Sequence, residues 1–464
     1  MSRNQGGLGC WLWLLLFVVT AVRLVLAACM PLTPDEAYYW VWSRHIEGGY
    51  LDHPFMVALW IRVGTFIAGE NPFGVRLLGP ISAFLGSCIL YKAATNLITP
   101  GRYILVGERA VLLLNATLML GLGAATMTPD TPLLFFVSLT LYALSRALTA
   151  SEVGLSRVWW AITGAMLGLA FDAKYTAALI GIGIGGFVLT DRRRLWRQLG
   201  PWGALPVLMT VMSPVIYWNA THHWASFIKQ GGRNGDWHPA RALQFLGELL
   251  GGQIGLATPI IFVIFVYGAY RTLRRENLLA WLIFLPACVF FIHAFGDRVQ
   301  ANWPAVIYPV LALAAAGTNW RIRTAVVSGF ALTLGVTVQA AFSPVPLTAH
   351  QDPILRQTAG WQEFAHSLAV RATEQGASAL VVRDYALASE LAFSQNVLPV
   401  VGDDPRWQLF SLPAHNVAIG LRVEEERRDK NSADICRLSK GHIVRCYASA
   451  IVSSVQGAQL PKRF

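Results

Sequence analysis

The segment richest in chemically capable side chains follows the first apolar run of the sequence. It reads Pro34-Asp35-Glu36-Ala37-Tyr38-Tyr39-Trp40-Val41-Trp42. Adjacent carboxylates accept hydrogen bonds from the hydroxyl groups of a sugar ring, while aromatic faces cover its C–H side. A carboxylate there can also act as a general base that removes the proton of an attacking hydroxyl. The alternative is structural, because aromatic rings beside solvated acids are also typical of a membrane interface.

Five further polar segments lie between apolar runs. They are Asp52-His53-Pro54, Thr128-Pro129-Asp130-Thr131-Pro132, Lys174-Tyr175, the stretch from Tyr217 to His238 with His222, His223, Lys229 and Arg233, and the stretch from Asp297 to Pro304 with Asn302. A lone ammonium such as Lys174 needs an anion, which is either a lipid-linked phosphate or the neighbouring Asp172. Asp130 either contributes to a site or caps the next helix. Lys229 and Arg233 bring the positive charge that an anionic lipid headgroup requires.

The composition shows what kind of elements must position these residues. Only 14% of the 464 residues are charged and 55% are hydrophobic, whereas about a quarter are charged in an ordinary soluble domain. The mean hydropathy is +0.47. These values indicate an integral membrane protein and exclude a soluble enzyme, a coiled coil or a disordered scaffold. The net charge of +11 is typical of basic cytoplasmic loops, so we expect no nucleic-acid partner.

Apolar runs long enough to be considered as spans recur along the first three quarters of the chain. Eleven runs lie near 10–31, 73–98, 110–127, 132–148, 158–172, 174–190, 201–218, 246–270, 277–295, 305–318 and 324–345. The sequence therefore predicts a polytopic α-helical membrane protein with about eleven transmembrane helices. Arg23 lies inside the first run, where it either faces a cavity or extends to the interface.

Positive charge in alternate loops sets the orientation. The basic loops contain Arg102 with Arg109, Arg146 with Arg157, Arg192 to Arg197, Arg271 with Arg275, and Arg321 with Arg323. These loops are predicted to be cytoplasmic, so the loops with acids and histidines face the periplasm. The prediction is a transmembrane domain over 1–345, with a first periplasmic loop at about 32–72, and a periplasmic domain over 346–464. Cleavage at Leu26-Ala27-Ala28-Cys29 is a less favoured alternative for the first run.

The last 115 or so residues have a different pattern. The segment from Trp361 to Glu374 is typical of a helix, 379–383 of a short buried strand, and 384–393 of another helix. A small C-terminal α/β domain is therefore predicted. Cys436 and Cys446 flank a plausible hairpin turn and are predicted to form a disulfide in an oxidising compartment.

Taken in order, the motifs resemble a known family. They are similar to the motifs of bacterial members of the protein O-mannosyltransferase/aminoarabinose (lipid A) transferase superfamily. The similar segments are the one from Pro34 onward, Asp52-His53-Pro54, Thr128 to Pro132, Lys174-Tyr175-Thr176, Trp218 to Phe227 and Ala301-Asn302-Trp303-Pro304. These are membrane glycosyltransferases of the GT-C fold, related to glycosyltransferase family 39. The resemblance covers about residues 30–310 and extends loosely to 384–393.

The resemblance implies a polyprenyl-phosphate-linked sugar as donor and a lipid, glycan or protein hydroxyl as acceptor, with inversion of configuration. The implied catalytic residues are Asp35, as general base, and Glu36, which shapes the site. Lys174 and Arg233 would neutralise the leaving phosphate, with Lys229 behind them. The full predicted substrate-binding set is Tyr38, Asp52, His53, Asp130, Lys174, Tyr175, His223, Lys229, Arg233 and Asn302.

Some properties stay open at this point. No cofactor is assigned, and a divalent metal is left unassigned because the sequence has no decisive ligand set. The alternative function is a polyprenyl-linked sugar transporter or flippase. Transporters usually carry ionisable residues at the bilayer midplane and show repeated halves. Here the acids lie at outer helix ends, which favours a glycosyltransferase of the bacterial inner membrane with a periplasmic active site.

Overall fold

The structure is a computed structural model that describes residues 5–98, 105–191, 193–231, 237–275, 277–318, 320–348, 351–425 and 434–463. Its packing divides the chain into two compact units. The helical unit comprises Met1–Val25, Asp52–Val57 and Leu78–Thr337, and the tail unit comprises Leu26–Leu51, Ala58–Leu77 and Val338–Phe464. Most of the first predicted loop thus packs with the tail. The boundary predicted at residue 345 separates a transmembrane domain from a periplasmic domain, and it stays a prediction.

Helices dominate the chain up to residue 342. They are α1 (Gln5–Cys29), α2 (Pro34–Arg44), α3 (Met56–Ala68), α4 (Pro72–Arg76), α5 (Leu78–Leu97), α6 (Val106–Asn115), α7 (Leu118–Gly121), α8 (Asp130–Thr149), α9 (Val153–Ala173), α10 (Ala177–Thr190), α11 (Leu199–Thr221), α12 (Ala225–Gly231), α13 (Ala242–Ala257), α14 (Pro259–Arg275), α15 (Asn277–His293), α16 (Tyr308–Ala316) and α17 (Ile322–Phe342). This confirms the predicted polytopic helical architecture.

Fewer than eleven of the described helices meet the length and apolarity that a membrane span requires. Among the described residues, six helices are long and apolar enough to cross a membrane. They are α1 from Cys10, α4 with α5, α8, α9, α11 and α17. Two bent pairs, α6 with the segment to Ala125 and Pro239–Ala257 with α14, raise the total to eight at most. The predicted count of eleven is not confirmed.

Breaks within apolar runs explain the difference. The run over 246–270 bends by 105° between α13 and α14, where Thr258 has a φ of +69° and a proline follows. A proline disfavours helical geometry at the residue that precedes it. Helix α10 has 14 residues and α16 has nine, so neither reaches the length of about 20 residues that a span needs. Hydropathy alone does not register such breaks.

Close helix contacts in the helical unit depend on small residues. A Cβ built on Gly164 of α9 would lie 2.2 Å from the carbonyl oxygen of Ala204 in α11. Only glycine fits that approach, as is common between membrane helices. Arg23 is 2% exposed and donates from Nη1 to Asn115 Oδ1 (3.1 Å) and from Nε to the Gly121 carbonyl (3.1 Å). The arginine of the first span is therefore held by a buried amide.

The tail unit ends in a mixed α/β structure, as predicted. Its elements are α18 (Pro353–Thr358), α19 (Trp361–Glu374), β1 (Ala379–Val382), α20 (Tyr385–Ser394), β2 (Val400–Gly402), β3 (Ala414–Glu425), β4 (Ile435–Ser439) and β5 (His442–Gln459). The strand order is β2-β1-β3-β5-β4, and β2 also pairs with β5. Strand β1 is parallel to β2 and β3, while β5 is antiparallel to its neighbours. Ala379, Val381, Val401 and Val417 fill the core between the strands.

The predicted disulfide is present. Cys436 and Cys446 are bonded and lie opposite each other in the β4–β5 hairpin. Lys440 and Gly441, with φ of +49° and +80°, form the connecting turn. Two-residue hairpin turns with positive φ at both positions match the twist of the strands.

Candidate active site

Helix α2 begins at a complete set of helix-start signals. Thr33 is the N-cap and Pro34 follows at the first helical position. The Thr33 hydroxyl accepts from the Glu36 backbone N–H (3.3 Å), and Glu36 Oε2 accepts from the Thr33 N–H (3.0 Å). This reciprocal capping box fixes the start of the helix. Asp35 is therefore held in the first turn of α2.

Arg76, the last residue of α4, binds the Glu36 carboxylate with both arms of its guanidinium. Arg76 Nε and Nη2 donate to the two oxygens of Glu36, each at 2.6 Å. Arg76 also donates to the carbonyls of Met30 (2.6 Å) and Pro31 (2.8 Å). Glu36 is fully buried and Arg76 is 1% exposed. The pair ties α2 to the chain that leads into it.

Asp35 and Glu36 differ sharply in their surroundings. The Asp35 side chain is exposed, and a carboxylate in the first turn is stabilised by the helix dipole. Glu36, the second predicted catalytic acid, is engaged by Thr33 and Arg76. Tyr38, predicted to bind substrate, is 2% exposed and is covered by other side chains of the tail unit. The predicted roles of all three residues stay predictions.

The helical unit brings together residues from three separate predicted loops. Asp130 is the first residue of α8, Lys174 follows α9, and Asn302 precedes a 3-10 turn over Trp303–Ile307. Asp130 Oδ1 accepts from Lys174 Nζ (2.7 Å), and Asp130 Oδ2 accepts from Asn302 Nδ2 (2.7 Å). Asp130 is 2% exposed and Lys174 is 4% exposed. We call these three residues the acid–amine–amide cluster.

Two alternatives considered for this cluster are resolved by its geometry. Lys174 pairs with Asp130 rather than with Asp172, which lies two residues away in the chain. Asp130 does not cap α8, because Pro129 occupies the N-cap position. A buried ion pair of this kind pays its desolvation cost only through good geometry and additional hydrogen bonds. The Asn302 amide supplies one such bond.

A second group of predicted residues meets at helix α12. Lys229 forms an ion pair with Asp52, and Gln230 Nε2 donates to the Asp52 carbonyl (2.7 Å). The Tyr175 hydroxyl lies 2.7 Å from Ser226 Oγ. Helix α12 is therefore bound both to the loop that contains Asp52 and to the turn that contains Lys174 and Tyr175.

The remaining predicted residues are His223, His53 and Arg233. His223 is exposed with a φ of +54°, and His53 is half-buried. Arg233 lies outside the described residues. Within the described ranges, no group of three or more His, Cys, Asp or Glu side chains is arranged to hold a metal ion.

The sequence analysis missed Arg76, Ser226 and Gln230. Arg76 lies inside the apolar run over 73–98, and the reasoning applied to Arg23 would have identified it, since a charge in an apolar run needs a partner. Gln230 adjoins the predicted Lys229. Ser226 carries no signal of its own, because a serine near a helix start is common.

Sequence comparisons agree with this architecture. Residues 52–218 match the family model of dolichyl-phosphate-mannose-protein mannosyltransferases. The lipid A galacturonosyltransferase RgtD of Rhizobium johnstonii is 26% identical over 388 residues, which are 78% of this chain and 77% of that protein. The undecaprenyl phosphate-α-4-amino-4-deoxy-L-arabinose arabinosyl transferase of Pseudomonas aeruginosa is 29% identical over 235 residues, which are 46% of this chain and 40% of that protein.

A solved structure shows the same fold. It is that of ArnT from Cupriavidus metallidurans bound to undecaprenyl phosphate, with a TM-score of 0.57, 19% identity and coverage of 84% of this chain and 75% of that one. The order of the motifs, the helical architecture and these similarities agree. The chain is therefore a membrane glycosyltransferase with the fold of ArnT, and its sequence is similar to that of the dolichyl-phosphate-mannose-protein mannosyltransferases.

Proposed function

We propose that this glycosyltransferase moves a sugar from a polyprenyl-phosphate carrier to a hydroxyl group of a lipid acceptor at the periplasmic face of the inner membrane. The relative matched over most of both chains is named a lipid A galacturonosyltransferase, which favours a lipid over a glycan or a protein as acceptor. Other relatives are named for a donor of undecaprenyl phosphate and an amino sugar. None of these names supports the flippase alternative.

The observation that carries the proposal is the acid–amine–amide cluster. Lys174 is a buried cation, and its ammonium has three N–H groups. Within the described part of the chain, one of them is used by Asp130. The others are suited to the oxygens of a phosphate, and such charge-assisted hydrogen bonds are strong in a buried setting. Asp130 and Asn302 would keep the ammonium in place while the donor binds.

The proposed reaction is a single displacement. The Asp35 carboxylate removes the proton from the acceptor hydroxyl, and the hydroxyl oxygen attacks the anomeric carbon of the sugar. The bond between that carbon and the phosphate oxygen breaks, and polyprenyl phosphate leaves with the electron pair. Neutralisation of the phosphate by Lys174 replaces a general acid. Attack from the side opposite the phosphate inverts the anomeric configuration.

The other predicted residues receive supporting roles in this proposal. Arg233 adds a second cation for the phosphate, and Lys229, which pairs with Asp52, adds a supporting positive charge. Asp130 orients the sugar or a cation, and His53 supports the first loop. Tyr175 and His223 are proposed to contact the donor. Glu36 is proposed to hold Asp35 in place through the start of α2.

The periplasmic orientation follows from the distribution of positive charge between loops. Reporter fusions after Arg194 and Arg275 should report a cytoplasmic location, and a fusion after Leu347 should report a periplasmic one. The reverse pattern would place the acids on the cytoplasmic side and contradict the proposal.

The reaction is tested with purified protein in lipid vesicles that contain lipid A. The donors are undecaprenyl phosphates that carry 4-amino-4-deoxy-L-arabinose, galacturonic acid or mannose. Mass spectrometry of the lipids should show a sugar-sized increment with one of them. Asp35→Asn should lower turnover by about 10²–10⁴-fold while undecaprenyl phosphate still binds. Asp191→Asn is the matched control, because Asp191 pairs with Arg193 in a basic loop.

The outcomes separate the parts of the proposal. Sugar transfer to lipid A with an inactive Asp35→Asn variant supports donor, acceptor and base together. Transfer that persists at the wild-type rate in Asp35→Asn would remove Asp35 from the mechanism. Modification of protein but not of lipid A in whole envelopes would overturn the acceptor.

A further inference from the structure

Helix α2 is buried along almost its entire length. The eight consecutive residues from Glu36 to Ser43 are buried. A helix at a surface shows one polar, exposed stripe, so α2 is enclosed rather than laid on a surface. Much of the cover comes from the C-terminal part of the tail unit, where Phe393 of α20 packs edge-on against Trp40 at a centroid distance of 5.1 Å.

The side chains of Tyr385 and Arg406 in the tail unit contact Tyr38. The ring centroids of Tyr385 and Tyr38 are 4.6 Å apart. The Arg406 guanidinium carbon lies 3.8 Å from the centre of the Tyr385 ring and 5.8 Å from that of Tyr38. Arg406 Nη1 also donates to the Tyr38 hydroxyl at 3.4 Å. Cations over aromatic faces attract electrostatically, and more strongly when desolvated.

Both side chains are themselves held in place by helix caps. Asp384 is the N-cap of α20, and its carboxylate accepts from the Leu387 N–H at 2.8 Å, which fixes the start of the helix at Tyr385. Asp404 caps the 3-10 turn over Pro405–Leu409, accepts from the Arg406 N–H at 2.8 Å and lies 3.5 Å from Arg406 Nε. The two contacts on Tyr38 are therefore preorganised.

We propose that Tyr385 and Arg406 are positioning residues that clamp Tyr38 and thereby set the position of Asp35 for catalysis. The inference rests on the proposed function, in which Asp35 is the base. Tyr38 follows Asp35 by three residues, so the two side chains lie on neighbouring positions of one helical turn. A rotation of α2 that releases Tyr38 displaces the Asp35 carboxylate as well. A displacement of about 1 Å can cost about 10²-fold in rate.

The test compares clamp variants with a matched tail variant. Tyr385→Ala and Arg406→Gln should lower kcat by about 10–100-fold and leave the KM for the donor within about threefold, since the acid–amine–amide cluster is untouched. Tyr385→Phe keeps the ring and should retain most of the kcat. The control Tyr447→Ala removes a ring that packs on Phe364, at a centroid distance of 4.7 Å, within the tail.

A readout independent of turnover accompanies the kinetics. Hydrogen exchange of the peptide that covers residues 34–44 should accelerate in Tyr385→Ala and Arg406→Gln, and should stay near the wild-type rate in Tyr447→Ala. If the alanine variants fail to fold, the pair Arg406→Gln and Arg445→Gln serves instead, because Arg445 binds Glu425 in the sheet.

The results decide between the clamp and the proposed function. Loss of kcat and faster exchange at 34–44 in the clamp variants alone support the clamp. Equal losses in clamp and control variants would assign the effect to folding of the tail and overturn it. If Asp35→Asn is inactive while Arg406→Gln exchanges and turns over like the wild type, the clamp fails and the base survives. If Asp35→Asn is fully active, the proposed base fails whatever the clamp variants do.

Discussion

Two buried ion pairs, one in each unit, use their cations in different ways. In the tail unit, Arg76 directs its N–H groups to Glu36 and to backbone carbonyls near the start of α2. In the helical unit, the Lys174 ammonium donates to Asp130, and within the described residues its other N–H groups have no acceptor. The guanidinium is saturated, whereas the ammonium keeps donors available.

The number of free donors on the cation distinguishes a structural charge from a ligand-binding one. A planar guanidinium that makes bidentate contacts is suited to fixed geometry, while an ammonium is a compact point charge with rotatable donors. Burial alone does not separate the two cases, since both cations are almost completely buried. The number of N–H groups that are already used separates the two cases. Arg76 is therefore expected to affect folding and Lys174 to affect donor binding.

The largest expected effect is on stability, from Arg76→Met. Removal of the cation leaves the Glu36 carboxylate buried without a counter-charge, which costs about 3–5 kcal/mol. Thermal unfolding of the detergent-solubilised protein measures this loss. The double variant Glu36→Gln/Arg76→Met should recover part of it, because no buried charge remains. A single variant as stable as the wild type would show that the saturated pair does not hold α2.

A smaller effect on ligand binding is expected for Lys174→Ala, beside a loss of stability because the Asp130 carboxylate stays buried without its cation. Loss of hydrogen bonds between an ammonium and a phosphate costs about 1.5–3 kcal/mol, so the Kd for undecaprenyl phosphate should rise about 10–100-fold. Titration monitored by tryptophan fluorescence provides the measurement. The KM for lipid A should change less than the Kd for the donor lipid. Equal changes for donor and acceptor would argue against a phosphate-binding lysine.

The sequence predicted all three members of the acid–amine–amide cluster but only Glu36 of the tail pair, and it predicted neither set of contacts. Asp130, Lys174 and Asn302 were all identified as candidates, because isolated polar residues at the ends of apolar runs stand out. That these three contact one another could not be deduced, since they are 44 and 172 residues apart in the chain. Local patterns identify the residues, and only the packing of α8, α9 and the 3-10 turn over Trp303–Ile307 brings them together.

The fold shows the same limit. The α/β character of the tail and the bond between Cys436 and Cys446 followed from short-range patterns. The predicted number of spans is not confirmed among the described residues, where the bend near Thr258 interrupts an apolar run without altering its hydropathy. The association of α2 with the tail was also invisible, since it depends on contacts between Tyr38 and residues more than 340 positions away.

Glu390 is a third buried carboxyl group, and unlike Glu36 it has no bond to Arg76 among the described residues. Glu390 of α20 is 1% exposed, and burial raises its pKa well above the ordinary value, although the positive charges of Arg437 and Arg76 lower this pKa and the negative charge of Glu36 raises it further. Its Oε1 has no hydrogen-bond partner among the described residues. The protonated form of Glu390 is therefore more favoured in the folded protein than in the unfolded chain.

The consequence for stability has a definite sign. Above pH 4.5, the ordinary value of this carboxyl, the unfolded state loses the proton while the folded state keeps it, so stability falls as the pH rises toward the folded pKa. Each unit of the pKa difference is worth about 1.4 kcal/mol. Glu390→Gln should raise the Tm at pH 8 and have little effect at pH 4. A lower Tm at pH 8 would mean that the ionised form is stabilised, and that Arg76 or Arg437 has a donor to spare.

The smallest effect is expected for Lys229→Met, which removes the cation from Asp52. The side chains of this pair are 28% and 21% exposed, and ion pairs in contact with water contribute about 0–1 kcal/mol. Gln230 still holds the Asp52 carbonyl in the variant. The Tm and the Kd for undecaprenyl phosphate should therefore stay close to the wild-type values. A rise in Kd as large as that of Lys174→Ala would make Lys229 a second phosphate ligand. In that case a cation that is exposed to water, like a cation with unused N–H groups, would bind the polyprenyl-phosphate donor.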